Sequence, residues 1–254
     1  MNLVFASGFL LPQHLLGINY FRGLQDHLAQ IGVKALFPQV PPTARCDVRA
    51  GILADAIQRA YPDGPIHIIA HSMGGLDSRT LIGRNLRGLS SPGRIASLAT
   101  LSTPHRGSPI ADLLVGPRPD DDRRHVYEGI SQAFRLLGID IGALADLTTQ
   151  AASAMPDVAQ THQHIRYRSF FASGRTGPRP TSVALVLMHK HIRMVTGQEN
   201  DGLVAEDSAK YGEFQHPFWP CDHTDMVGHN LDTVDLGLFQ FDHLAAFHAI
   251  ISEL

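Results

Sequence analysis

The chain has 254 residues, 44% of them apolar, two cysteines and a formal net charge of −3. That length suits one domain, or one domain carrying an inserted cap, and the apolar share is ordinary for a chain that buries a sizeable core. The charge gives no reason to expect nucleic acid or an anionic membrane surface as partner, and no apolar run approaches the roughly 18 residues of a membrane span. Cys46 and Cys221 are far apart and do not make a disulfide framework. Met1-Asn2 leads straight into an apolar stretch without a basic leader region or a small-residue cleavage site. The expectation is therefore a cytoplasmic protein, and a secreted chain with its leader removed would read the same.

Residues 3–6 read as a short apolar strand running into the loop Ser7-Gly8-Phe9-Leu10. Residues 19–31 carry apolar positions at helical spacing and stop at Gly32. A strand over 33–37 is ended by Pro38, Pro41 and Pro42, and a helix over 47–60 places Val48, Ile52, Leu53, Ala56 and Ile57 on one face. Ile66 to Ile69 is apolar enough for a strand buried on both faces. It runs through Ala70-His71-Ser72-Met73-Gly74-Gly75 into a helix from Leu76 to about Arg84. Another buried strand, 95–101, ends in Ser102-Thr103-Pro104-His105-Arg106-Gly107-Ser108.

Strands alternating with helices at this spacing imply a parallel sheet with ligands beyond the carboxyl ends of its strands. Residues 109–162 break the alternation, with a charged loop through 117–124 and helices expected over 126–137 and 140–155. This segment is the candidate for an inserted helical cap. A strand over 165–172 and a loop over 174–180 follow. Periodicity leaves 183–195 open between helix and strand. A turn at 199–204, an irregular stretch over 214–233 and a helix over 236–252 complete the chain.

Strand, sharp turn, serine, helix is the arrangement that holds a nucleophilic hydroxyl at a sheet edge above a helix N-terminus. Ala70 and Gly74 are the small residues such a turn needs, Ala70 standing where the G-x-S-x-G form has Gly. Ser72 then needs a base, a carboxylate to orient it, and oxyanion donors. The chain order serine, acid, histidine admits Asp201, in the turn Asn200-Asp201-Gly202, with Asp207, Asp222 and Asp225 as rivals. It admits His223 or His229 as the base. His71 reads as packing, and His105 as a pocket or loop residue. The backbone N–H groups of Met73 and Phe9 are the candidate oxyanion donors, Phe9 by position alone.

These motifs together resemble the bacterial triacylglycerol lipases and esterases of the α/β-hydrolase fold, over most of the chain. Ser7-Gly8-Phe9 is similar to the family's His-Gly-x oxyanion loop, with Ser7 replacing the usual His. Tyr20-Phe21-Arg22-Gly23-Leu24, with Leu28, Gly32 and Val40-Pro41, resembles its first helix and second strand. Ala-His-Ser-Met-Gly-Gly resembles the nucleophile turn, and the loop from Ser102 to Ser108 a Thr-Pro-His-x-Gly-Ser motif. Leu147-Thr148-Thr149 resembles a short motif of the cap region. Asn200-Asp201-Gly202-Leu203-Val204 and Asp222-His223-Thr224-Asp225-Met226-Val227 resemble the acid turn and the histidine loop.

The resemblance implies Asp201 and His223 as the partners of Ser72. Family members often hold a structural calcium by two carboxylates and amide or backbone oxygens. Asp225 falls on one such carboxylate, but no Asp or Glu stands near Arg179-Pro180 for the other, and His229 occupies the amide position. The pairs His162-x-His164 and His189-x-His191 lack Cys or carboxylate ligands at a convincing spacing for zinc. No metal or cofactor is expected, and Asp225 reads as a loop carboxylate tied to backbone.

The expected fold is therefore a single α/β-hydrolase domain over 1–254. It has a central, mostly parallel sheet with helices on both faces and a small cap over 109–162. The expected function is serine carboxylic-ester hydrolysis through an acyl-enzyme, on short to medium chain esters and, by extension, aliphatic polyesters. Acyl transfer or amide hydrolysis on the same triad, and a catalytically silent binding protein, are the alternatives. The expected partner is a small-molecule or lipid-like ester, with no nucleic acid and no stable membrane insertion; the oligomeric state is left open.

Overall fold

The computed structural model describes residues 1–9, 19–115, 142–174, 181–232 and 240–254. Six strands form one sheet in the order β2-β1-β3-β4-β5-β6, every neighbouring pair parallel. In chain order the elements are β1 (Asn2–Ala6), α1 (Leu24–Gln30), β2 (Ala35–Leu36), α2 (Cys46–Ala60), β3 (Ile66–His71), α3 (Met73–Gly83) and β4 (Ile95–Leu101). There follow α4 (Pro109–Val115), α5 (Gly142–Asp146), α6 (Thr149–Ser153), α7 (Val158–Thr161), β5 (Arg166–Phe170), α8 (Val186–Thr196), α9 (Glu206–Ala209), β6 (Glu213–Phe214) and α10 (His243–Ser252). The sheet is parallel and carries helices on both faces, as the alternation of strands and helices implies.

The two-residue period of a strand splits β1 between two cores. Val4 and Ala6 face α2 and α3, where Ala50, Leu53, Ile57, Leu81 and Ile82 close over Ile66 and Ile68. Leu3 and Phe5 face the other way, toward Leu24 and Leu28 of α1 and Phe247 and Ile250 of α10, with Ile69 beside them. A sheet covered on both faces explains why β3 and β4 read as nearly unbroken apolar runs.

Four expectations change and one open reading is decided. The helix expected over 19–31 begins only at Leu24, because Gly23 adopts a left-handed φ of 69° and Tyr20 and Phe21 turn inward against the sheet. On α2 the buried stripe is rotated: Val48 is 50% exposed while Arg49 is wholly buried. The reason is an ion pair inside the fold, given below. The helix expected over 140–155 is two helices, α5 and α6, because Thr148 caps the second by accepting the Ala151 N–H. The open stretch 183–195 is helical, a short turn at Val183–Leu185 leading into α8. The helix expected over 126–137, most of the loop over 174–180 and residues 236–239 of the helix expected over 236–252 lie outside the described residues; that last helix begins only at His243, where Asp242 caps it by accepting the Ala245 N–H. Cys46 and Cys221 are both buried, and no disulfide joins them.

Phe247 meets Phe5 and Phe21 edge-on at centroid distances of 5.8 and 5.7 Å. Phe247→Ala is therefore expected to remove about 3–5 kcal/mol of unfolding free energy, measured by urea denaturation. A loss under about 1 kcal/mol would mean that α10 is not docked on the sheet as described.

Candidate active site

The site is built where β3 ends. Ser72 takes φ 55° and ψ −131°, a region nearly reserved for glycine, at a cost of about 1–3 kcal/mol. Its amide donates to the Leu101 carbonyl at 2.9 Å and its carbonyl accepts from Gly75 at 3.1 Å, so both neighbours pin the turn. A Cβ on Gly74 would stand 2.4 Å from the Ala6 carbonyl oxygen. The first turn of α3 therefore passes the end of β1 at a distance no side chain tolerates. The side chain of Ser72 is half-buried, leaving its hydroxyl reachable. As the first residue of α3, Met73 has an N–H without an intrahelical partner.

The structure brings Asp201 and His223 together from loops 22 residues apart. His223 Nδ1 donates to Asp201 Oδ2 at 2.7 Å, with both side chains buried. The other oxygen of Asp201 accepts from the Leu203 and Val204 amides at 3.0 and 2.8 Å. The His223 amide donates to the Asp201 carbonyl at 2.9 Å. These bonds hold the carboxylate in place and fix the imidazole with its proton on Nδ1.

The rivals are occupied elsewhere. Asp207 pairs with Lys210 at the surface. Asp222 accepts the amides of Ser182, Thr224 and Asp225. Asp225 accepts the Asp222 amide at 3.0 Å, the backbone tie expected of it. His229 Nε2 donates to the Tyr20 carbonyl at 2.9 Å. His105 bonds Thr100 Oγ1 at 3.1 Å and stacks on Tyr211, so it braces the loop after β4. His71 is packed, as expected, and its ring lies 4.6 Å from that of His223. Among the described residues no group of three or more His, Cys, Asp or Glu is placed to hold a metal ion.

Arg49 is the site residue that sequence reasoning missed. Its Nε donates to Asp77 Oδ2 at 2.8 Å, and Nη2 donates to the Ser7 carbonyl at 2.6 Å and the Gly8 carbonyl at 3.1 Å. Burial pushes the Asp77 carboxyl up to about 6, against the pull of Arg49. In a trans peptide the C=O and the following N–H point in opposite directions. Holding the Gly8 carbonyl on Arg49 therefore aims the Phe9 N–H away from α2. Phe9 also packs in one cluster with Met73, Leu76, Leu144 and Leu147. The available signal was a charge four residues before Leu53, on the apolar stripe of α2.

A family model described as alpha/beta hydrolase fold matches residues 42–168, half of the chain. Among curated proteins, the chain is 29% identical to triacylglycerol lipase 2 of Saccharomyces cerevisiae, covering 84% of this chain and 64% of that one. It is 25% identical to a triacylglycerol lipase of Vibrio cholerae, covering 89% and 78%. The chain thus spans less than two thirds of the yeast relative. Among solved structures, a metagenomic carboxyl esterase superposes with a TM-score of 0.74 at 17% identity, covering all of this chain and 75% of that one. A Staphylococcus hyicus lipase superposes at 0.70 and 20% identity, covering 99% and 94%. At these identities the structural likeness speaks for the fold.

Two outcomes follow. Ser72→Gly is expected to stabilise the fold by about 1–3 kcal/mol in chemical denaturation, because glycine adopts the turn without strain. An unchanged or lower stability would mean that the turn is not strained. Burial holds His71 and His105 well below the ordinary histidine range, so both stay neutral when folded. Unfolded, both take up protons below about pH 6.5. Their contribution is full above that pH and shrinks by about 1.4 kcal/mol per pH unit for each ring below it. Asp77 acts in the opposite sense below about 6. Urea midpoints should fall from pH 7.5 toward pH 5.5, and a flat profile would count against neutral buried rings.

Proposed function

The chain belongs to the alpha/beta hydrolase fold family, and on that premise we propose that it is a serine carboxylic-ester hydrolase working through Ser72, His223 and Asp201. The observation that supports this most is the buried 2.7 Å Asp201–His223 contact, with His223 lying against the residue that precedes Ser72.

In this reading Ser72 Oγ attacks the ester carbonyl while its proton passes to His223 Nε2. Asp201 accepts from Nδ1 throughout and stabilises the imidazolium. The Met73 and Phe9 N–H groups receive the developing oxyanion. The alkoxide leaves with the proton from His223, giving the alcohol and an acyl-Ser72. Water, deprotonated by His223, then attacks the acyl carbon, and the carboxylic acid and free Ser72 result. We assign the cap to 109–162, of which 116–141 lie outside the described residues; support comes from Leu144 and Leu147 packing in the cluster that holds Phe9 and Met73.

The curated relatives, named as triacylglycerol lipases, favour acyl esters as the substrate class. We assign short to medium acyl chains, with aliphatic polyesters as an extension. The test is labelling with a fluorophosphonate probe and peptide mapping, followed by rates on p-nitrophenyl esters from acetate to palmitate and on a polyester film. Label on Ser72 and loss of hydrolysis in Ser72→Ala are expected. Asp201→Asn should lower kcat by about four orders of magnitude, as removing the orienting acid does in comparable triads. Label on another residue, or a folded Ser72→Ala with undiminished rate, would overturn the proposal. Acid release from soluble esters but none from the film would reject the polyester extension alone.

A further inference from the structure

The residue before the nucleophile belongs to a buried chain of contacts that the reaction above does not use. Tyr20 Oη lies 2.7 Å from His71 Nδ1. The Gly8 backbone N–H faces the same phenolic oxygen, and a Cβ built on Gly8 would stand 2.4 Å from Tyr20 Oη and 2.7 Å from Ser72 Cβ. The His71 ring lies 4.6 Å from the His223 ring, the planes tilted by 44°. Phenol, nucleophile turn, loop of the Phe9 N–H and catalytic base are thus in one line of contact.

The direction of the hydrogen bonds follows from satisfying each group. Tyr20 is buried, and the contact with His71 is the hydrogen bond that its oxygen makes. If His71 Nδ1 donated, the phenolic hydrogen would be buried without an acceptor, which is the costly case. The O–H therefore donates to Nδ1, and His71 carries its own proton on Nε2. That Nε2 is buried and closes no hydrogen bond. The His223 backbone carbonyl faces it at a geometry short of one. The phenol stays protonated, since burial pushes its pKa up.

Asp201 holds His223 at Nδ1 alone. One hydrogen bond leaves the imidazole free to swing about the line joining donor and acceptor, and a small error in placing a base costs rate steeply. A second surface against the ring removes that freedom, provided the surface is itself fixed and uncharged. We propose that Tyr20 and His71 are positioning residues for this reaction. Tyr20 locks His71 as the neutral Nε2–H tautomer, and His71 bears on the ring and carbonyl of His223 to keep that base in register with Ser72. The inference rests on the ester-hydrolase reading and adds two residues to it.

The test uses the full chain with Tyr20→Phe, His71→Gln and His71→Leu, each checked by thermal unfolding, and kinetics on p-nitrophenyl butyrate. Tyr20→Phe should lower kcat by about tenfold to a hundredfold with KM little changed, since the variant loses placement rather than binding. His71→Gln offers a carbonyl to Tyr20 and an amide donor toward His223, so it should retain several times the kcat of His71→Leu. Equal rates in the two His71 variants would reduce the residue to space filling and overturn the proposal, as would Tyr20→Phe within about twofold of the parent. A measurement that needs no variant is ¹⁵N NMR of imidazole-labelled protein. His71 is expected as the neutral Nε2–H form at pH 7, and an Nδ1–H form or an imidazolium would overturn the assignment. Failure of the underlying reading looks different: the parent protein would neither label at Ser72 nor hydrolyse ester.

Discussion

The left-handed backbone of Ser72 is the constraint on which the rest of the structure depends. A serine at φ 55° persists only if its surroundings outweigh the strain. Here they do so from three directions. The Ser72 amide is tied to the end of β4, Gly74 is pressed on the end of β1, and the sheet beneath is covered on both faces. Parallel strands bring these ends to one edge, so the same arrangement that strains the serine gathers the loops around it.

The buried pair Arg49–Asp77 shows where the fold spends stability for geometry. An ion pair in the interior roughly breaks even against desolvation, so its presence is weak evidence for stability. Its value lies in what the guanidinium reaches. Three of its nitrogens hold four acceptors, among them the Ser7 and Gly8 carbonyls. Those bonds set the orientation of the peptide that carries the Phe9 N–H. A hydrocarbon of the same size would fill the space and leave that peptide free to turn.

Much of this was legible beforehand. The apolar runs at 66–69 and 95–101 mark central parallel strands because a strand buried on both faces has no polar side to show. The small residues around Ser72 mark its turn because close backbone approach excludes larger ones. Asp201 could be separated from Asp222 and Asp225 only by resemblance, since composition treats the three alike. In the fold the difference is plain: Asp201 spends one oxygen on His223, whereas Asp222 spends its oxygens on backbone amides of the same loops.

By itself, the sequence determined the alternation of strands and helices, the edge on which the site lies and the residue types gathered there. Those are local properties, written in periodicity and turn chemistry. Tertiary structure alone decided that Arg49 points inward rather than Val48, that the stretch after Thr181 is helix, and that Tyr20 and His71 touch the histidine loop. Each depends on a partner 28 or more residues away, such as Asp77 for Arg49 or Tyr20 for His71, or on which surface an amphipathic segment finds to bury. Contacts between distant residues leave no period in the chain, and they are what set a group of side chains to work together.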